Sequence, residues 1–126
     1  MAQSLNFPLE ARAEAVSRDV LVQAALQEIT QNYREASLSN VARTYGVSLA
    51  YVSECVRAQT GKTYKELLQK HRMETAARLL RRSDLNIQQI ITQVGYENTS
   101  YFYRLFHERY GQSPREYRRQ RMRTSA

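Results

Sequence analysis

The residues able to do chemistry in this sequence are chiefly its cations. Nineteen Lys and Arg face twelve Asp and Glu, for a net charge of +7 and a pI near 9.9. Residues 1–63 hold six basic side chains (Arg12, Arg18, Arg34, Arg43, Arg57, Lys62) and six acidic ones (Glu10, Glu14, Asp19, Glu28, Glu35, Glu54) and are neutral overall. Residues 64–126 hold thirteen basic and six acidic side chains, so all the excess positive charge lies in the second half. Such a half suits a phosphate-bearing partner, and it also suits a plain soluble surface. The other reactive types are sparse. No Ser/His/Asp set, phosphate loop or supported pair of carboxylates is present. His71 and His107 lie far apart, and Cys55 has no second cysteine, so no metal-ligand spacing arises. Both histidines read as packing or surface residues and Cys55 as a small buried apolar side chain. No catalytic residue, metal or cofactor is expected, and the chain does not read as an enzyme.

The elements that would carry these cations are short helices. Ile87, Ile90, Ile91 and Val94 give an apolar face at helical spacing, followed by Gly95. A second helix spans about Asn98 to Tyr110, and a third is opened by Ser113 and Pro114. Gly95 falls where two helices meet at a steep angle, and the left-handed backbone expected there costs any other residue about 1 to 2 kcal/mol. The pattern is a helix-turn-helix with a supporting helix, and its coincidence with the basic half shifts the reading of the charge towards nucleic acid.

The same pattern occurs earlier. Shifted by 49, Leu38, Val41, Ala42, Tyr45 and Gly46 fall on Ile87, Ile90, Ile91, Val94 and Gly95. Shifted by 50, Tyr51, Val52, Val56 and Gly61 fall on Tyr101, Phe102, Phe106 and Gly111. The repeat marks Phe102 and Phe106 as core, and it aligns Cys55 with Leu105. A preceding helix from about Ala13 carries Val22, Ala25, Leu26, Ile29 and Tyr33 as an apolar stripe. Thr63 and Glu66 form a capping box that opens a helix to about Arg82, and Ser113, Pro114 and Glu116 open a final helix to about Arg121. The fold class is therefore all-α: two helix-turn-helix subdomains joined by a linker helix, about seven helices in total. Residues 1–12 read as a tail or the end of an interdomain linker. Residues 13–62 read as the first subdomain, 63–83 as the linker helix, 84–121 as the second subdomain and 122–126 as a frayed tail. No apolar run approaches the roughly 18 residues a membrane span needs, and the N-terminus lacks a signal peptide's charged-then-apolar order. Cytoplasmic location fits the single cysteine.

The second copy resembles the DNA-binding domain of the AraC/XylS family of bacterial transcription regulators, through Gly95-Tyr96, Ser100-Tyr101-Phe102, Arg104, Phe106, Gly111, Pro114, Tyr117 and Arg118. Leu38, Ala42, Gly46, Val47-Ser48, Tyr51 and Thr60-Gly61 extend the resemblance to the first copy, and Arg72-Met73 and residues 76–80 extend it to the helix between. It covers about residues 20 to 120.

The resemblance implies sequence-specific binding of promoter duplex DNA, with the second helix of each unit entering successive major grooves on one face. It implies a bacterial, nucleoid-associated activator that contacts RNA polymerase. By position, the family's base-reading residues fall on Thr99, Ser100, Tyr103 and Arg104 in the second unit and on Leu49, Ala50, Ser53 and Glu54 in the first. Arg104 can pair bidentately with guanine O6 and N7; its alternatives are a phosphate contact or a bridge to Glu97 or Glu108. Glu54 departs from the usual basic or amide residue, can only accept hydrogen bonds, and has solvent or a pairing with Arg57 or Arg43 as its alternatives. Ser37, Ser48, Asn86, Asn98 and Ser113 read as helix caps whose backbone N–H groups can also meet phosphate. Ser48 and Asn98, with Arg115, Arg118 and Arg119, form the expected phosphate set within a basic run that includes Arg121 and Arg123. The isolated domain is expected to be a monomer. The chain reads either as a stand-alone small regulator or, by preference, as the C-terminal part of a larger one, which would dimerise through a missing N-terminal domain. The reading from another class is a helical protein-interaction module whose basic face meets an acidic partner.

Overall fold

A computed structural model describes residues 16–125, with side chains to Arg121. Among these residues all regular structure is helical: α1 Arg18–Gln31, α2 Leu38–Tyr45, α3 Leu49–Thr60, α4 Tyr64–Arg82, α5 Ile87–Gln93, α6 Thr99–Tyr110 and α7 Pro114–Ser125. This is the all-α class read from the sequence. The expected tail at 1–12 and the expected helix start near Ala13 lie outside the described residues. Within them, α1 is opened by Ser17, whose side chain accepts from the Asp19 N–H. The last helix continues to Ser125, past the stop expected at about Arg121, because no Gly or Pro follows to break it.

The chain divides into two compact units, one ending at Leu68 and the other beginning at Gln69, a boundary inside α4. In the first unit α1, α2 and α3 close around Leu21, Val22, Ala25, Ile29, Leu38, Val41, Ala42, Val47, Val52, Cys55, Val56 and Tyr64, with Leu67 and Leu68 packed against them. Val22, Ala25 and Ile29 of the expected stripe are buried, whereas Leu26 and Tyr33 are half-buried. Cys55 is buried among apolar neighbours, as its alignment with Leu105 suggests.

The second unit is built on aromatic side chains. Phe102 and Phe106 are fully buried and stack with centroids 5.9 Å apart, and Phe106 meets Tyr110 at 4.7 Å and Tyr117 at 5.4 Å. Burial of side chains this large is the main source of stability, on the order of 2 to 3 kcal/mol for each Phe. Met73, Ala76, Ala77 and Leu80 of α4, with Ile90, Ile91 and Val94, are buried in this unit. Shifted by 51, the buried Val22, Ala25 and Ile29 of α1 fall on Met73, Ala76 and Leu80. The later part of α4 is thus the second unit's counterpart of α1, and its start is the first unit's counterpart of α7.

Both turns between paired helices have one geometry. Gly46 and Gly95 take φ values of +66° and +100°. The next N–H reaches back five residues, Val47 to the Ala42 carbonyl at 3.0 Å and Tyr96 to the Ile91 carbonyl at 3.1 Å. A β-branched side chain at a positive φ is strained, so Gly95→Val should destabilise the second unit by more than about 1 kcal/mol. Denaturant unfolding checks this; an unmoved midpoint would show that the turn tolerates an ordinary residue.

Capping fixes where the helices start. Thr63 and Glu66 exchange bonds of 3.0 and 3.1 Å, and Ser113 and Glu116 of 2.9 and 3.1 Å, as their spacing predicts. These bonds hold both glutamates below the usual carboxylate range. Asn86 and Gln89 form a third box at 2.8 and 2.9 Å. Ser37 differs from expectation. Its hydroxyl makes no cap bond, and its backbone N–H donates instead to Glu28 Oε2 at 3.3 Å, a carboxylate that also takes the Asn40 amide at 3.4 Å.

Candidate nucleic-acid interface

Burial sets the rotation of each second helix and so decides which side chains face out. On α6, Phe102 and Phe106 turn inward, leaving Ser100, Tyr103, Arg104 and His107 exposed. The Asn98 side chain caps the helix by accepting from the Tyr101 N–H at 2.9 Å. Tyr101 is half-buried, and its hydroxyl accepts from the Gln69 amide at 2.7 Å. The Arg104 guanidinium lies 5.0 Å from the centroid of the Tyr101 ring, and its Nε is 3.8 Å from Glu108. Both members of that pair are about two-thirds exposed. Such a bridge is worth well under 1 kcal/mol, so it can orient the guanidinium and still give way to a better acceptor. Thr99 is half-buried, and its hydroxyl donates to Gln88 Oε1 at 3.3 Å. Of the four residues expected to read bases in this unit, three therefore present exposed side chains, while Thr99 ties the start of α6 to α5.

On α3, Val52, Cys55 and Val56 face inward. Leu49, Ala50, Ser53 and Glu54 are all exposed, and Leu49 keeps 48% of its surface. Ser48 caps this helix through the Tyr51 N–H at 3.0 Å. Arg18 approaches the Tyr51 ring, its guanidinium 5.8 Å from the centroid. Its pKa is raised, first by the hydrogen bond to Tyr51. By the 51-residue shift Arg18 matches Gln69, so in each unit the first helix of the bundle steadies the tyrosine of the outward-facing helix.

The expected phosphate set divides. Ser48 and Asn98 spend their side chains as caps, leaving first-turn N–H groups at two helix starts. Arg115 and Arg119 are exposed on α7. Arg118 is not placed as the sequence suggested. Its Nε donates to the Leu80 carbonyl at 3.1 Å, and its Nη2 to Ser83 at 3.2 Å and Leu79 at 3.5 Å. Arg121 joins it, donating to the Ser83 and Leu80 carbonyls at 2.7 and 3.1 Å and bridging Asp84 at 3.3 Å. Burial lowers the Arg118 pKa, with Arg121 as a second cause. The end of α4 has no glycine cap, and its last carbonyls need partners; two guanidiniums supply them at the negative end of the helix dipole. Arg81, from the same helix end, hydrogen-bonds the Tyr117 hydroxyl and lies 5.8 Å from that ring's centroid. The Arg123 side chain lies outside the described residues.

No group of His, Cys, Asp and Glu suited to a metal ion occurs among the described residues, and none of their helices is long and apolar enough to cross a membrane. Residues 41–120 match the helix-turn-helix domain family. The chain belongs to this AraC-type helix-turn-helix family. Its relatives include DNA-binding transcription regulators, and DNA binding is the role of the AraC-type domain. The transcriptional activator PerA of Escherichia coli O127:H6 is 28% identical over 116 residues, covering 90% of this chain and 39% of PerA. The transcriptional activator NphR of a Rhodococcus species is 35% identical over 97 residues, covering 75% of this chain and 29% of NphR. Among solved structures, the C-terminal domain of AraT, a response regulator from Geobacillus stearothermophilus, matches with a TM-score of 0.73 and 36% identity, covering 79% of this chain and 84% of that one. The AraC-type chain described here thus spans well under half the length of PerA and of NphR.

Proposed function

We propose that this domain reads a specific promoter sequence with α3 and α6 as its two recognition helices, entering successive major grooves of one DNA face. The observation that carries the reading is the outward arc of α6, where Ser100, Tyr103 and Arg104 face solvent above an aromatic core that fixes the helix's rotation. A major groove admits one α-helix, and residues near the start of that helix reach base edges. The first-turn N–H groups above Ser48 and Asn98, with Arg115 and Arg119, supply the backbone contacts that position it. No reaction is part of this role. As part of a larger regulator, the domain would work at the bacterial nucleoid in the cytoplasm and place its partner segments beside RNA polymerase.

The test is fluorescence anisotropy of the 126-residue chain on a duplex selected from a random pool and on a scrambled duplex, at two salt concentrations. Specific reading predicts that the selected duplex is bound at least about a thousandfold more tightly, on top of binding to both that weakens steeply with salt. Equal binding to both duplexes at every salt concentration would make the basic half a general polyanion surface. In the same preparation, sedimentation at micromolar concentration should show a monomer, since no heptad seam for a coiled coil is present. A stable dimer without DNA would contradict this.

A further inference from the structure

We propose that the first unit reads a pyrimidine step: a cytosine selected by Glu54 beside a thymine whose methyl group packs on Leu49. This rests on the DNA reading above and specifies its bases.

The buried Val52, Cys55 and Val56 fix α3 so that Leu49, Ala50, Ser53 and Glu54 form its outer face near the N-terminal end, the end that reaches base edges in a helix-turn-helix. Glu54 takes no part in the Arg104–Glu108 and Arg121–Asp84 pairs and interacts electrostatically with Arg18 at the start of α1. A carboxylate only accepts hydrogen bonds. Cytosine presents a single major-groove group on its own edge, the N4 amino donor. Guanine presents the acceptors N7 and O6, thymine presents O4, and adenine's N6 donor sits beside the acceptor N7. Glu54 therefore selects largely by exclusion: it rewards cytosine modestly, meets in adenine a donor offset by the neighbouring N7, and is repelled by the guanine and thymine edges. It is also repelled by phosphate, so it supplies discrimination and not affinity.

Leu49 argues the second half of the step. Three large hydrophobic side chains are exposed among the described residues, Val20, Leu49 and Tyr103, and two of these stand on the outer faces of α3 and α6. The apolar group the major groove offers is the thymine C5 methyl, and Leu49, in the first turn of α3, is one helical turn from Ser53 and five residues from Glu54, far enough along the helix to meet a different base. By the 50-residue shift, Glu54 stands where α6 has Arg104, an acceptor in place of a donor. The two helices thus select opposite base chemistry, which makes the site asymmetric and gives the domain one orientation on it.

Selection of duplexes from a random pool by the wild-type chain, Glu54→Gln and Leu49→Ala tests this. The wild-type pool should fix cytosine next to thymine in one half of the site. Glu54→Gln should move the fixed base from cytosine to adenine, whose N6 and N7 suit an amide. Replacing the thymine by deoxyuridine, which lacks only the methyl group, should weaken wild-type binding several-fold and leave Leu49→Ala unchanged. An unaltered base under Glu54→Gln, or no loss with deoxyuridine, overturns the proposal. A pool in which only the other half-site is fixed overturns it and the role of α3 as a reader, while leaving DNA reading by α6 intact. A pool with no enriched sequence overturns both.

Discussion

Replacing Arg118 by alanine should lower the stability of the second unit by about 2 to 4 kcal/mol, the largest effect expected from any exposed or half-exposed position. Its guanidinium serves the carbonyls of Leu79, Leu80 and Ser83, and truncation leaves Leu80 and Ser83 to Arg121 and Leu79 to the Ser83 N–H and hydroxyl. A hydrogen bond to a charged donor contributes about 1.5 to 3 kcal/mol, and Arg118 makes two of good length, 3.1 Å to Leu80 and 3.2 Å to Ser83. Arg118→Lys should rescue little, because one ammonium cannot span carbonyls on two sides of a planar fork. Denaturant unfolding gives the stability. Anisotropy on the fraction still folded should show an unchanged salt slope. Unchanged stability with a flatter salt slope would restore Arg118 to the phosphate contacts.

The second large effect is on recognition. Arg104→Ala should weaken binding to the preferred duplex by about 1 to 3 kcal/mol and relax its sequence preference, because a guanidinium paired with guanine O6 and N7 contributes both affinity and selectivity. Glu54→Ala should leave affinity unchanged or raise it, since a charge repelled by phosphate is removed, while base preference in its own half-site falls. Neutralising Arg119, which is exposed on α7, should weaken all sequences alike and reduce the salt slope by about one unit. Anisotropy on preferred and scrambled duplexes at two salt concentrations separates these outcomes. If Glu54→Ala lost more affinity for the preferred duplex than Arg104→Ala, the second unit would not be the main source of binding.

The elements that bear these residues were legible because glycine and apolar spacing repeat. Gly46 and Gly95 mark the same turn, and the buried pairs Val52/Phe102 and Val56/Phe106 recur at one shift. The capping boxes at Thr63 and Ser113 depend on neighbours three residues away and were equally readable. Less legible was the double membership of α4, since its match to α1 rests on unlike residues such as Val22 with Met73 and Ile29 with Leu80. The role of Arg118 was hidden for another reason. Its acceptors are backbone carbonyls 35 to 39 residues earlier, and no local pattern tells a guanidinium bound for a helix end from one bound for phosphate. Glu28, which supports the start of α2 in place of the Ser37 hydroxyl, was missed on the same grounds. The fixed rotation of α6 gave the site its geometry, and only the structure could separate Thr99, turned to Gln88, from the three side chains beside it.

The most direct measurement of base reading by α6 replaces single guanines of the preferred duplex by 7-deazaguanine, which removes the N7 acceptor and leaves pairing intact. At one guanine the wild-type chain should lose roughly tenfold in affinity, while Arg104→Ala binds both duplexes equally. Indifference of the wild-type chain at every guanine, or an equal loss in Arg104→Ala, would contradict Arg104 as the reader of that base.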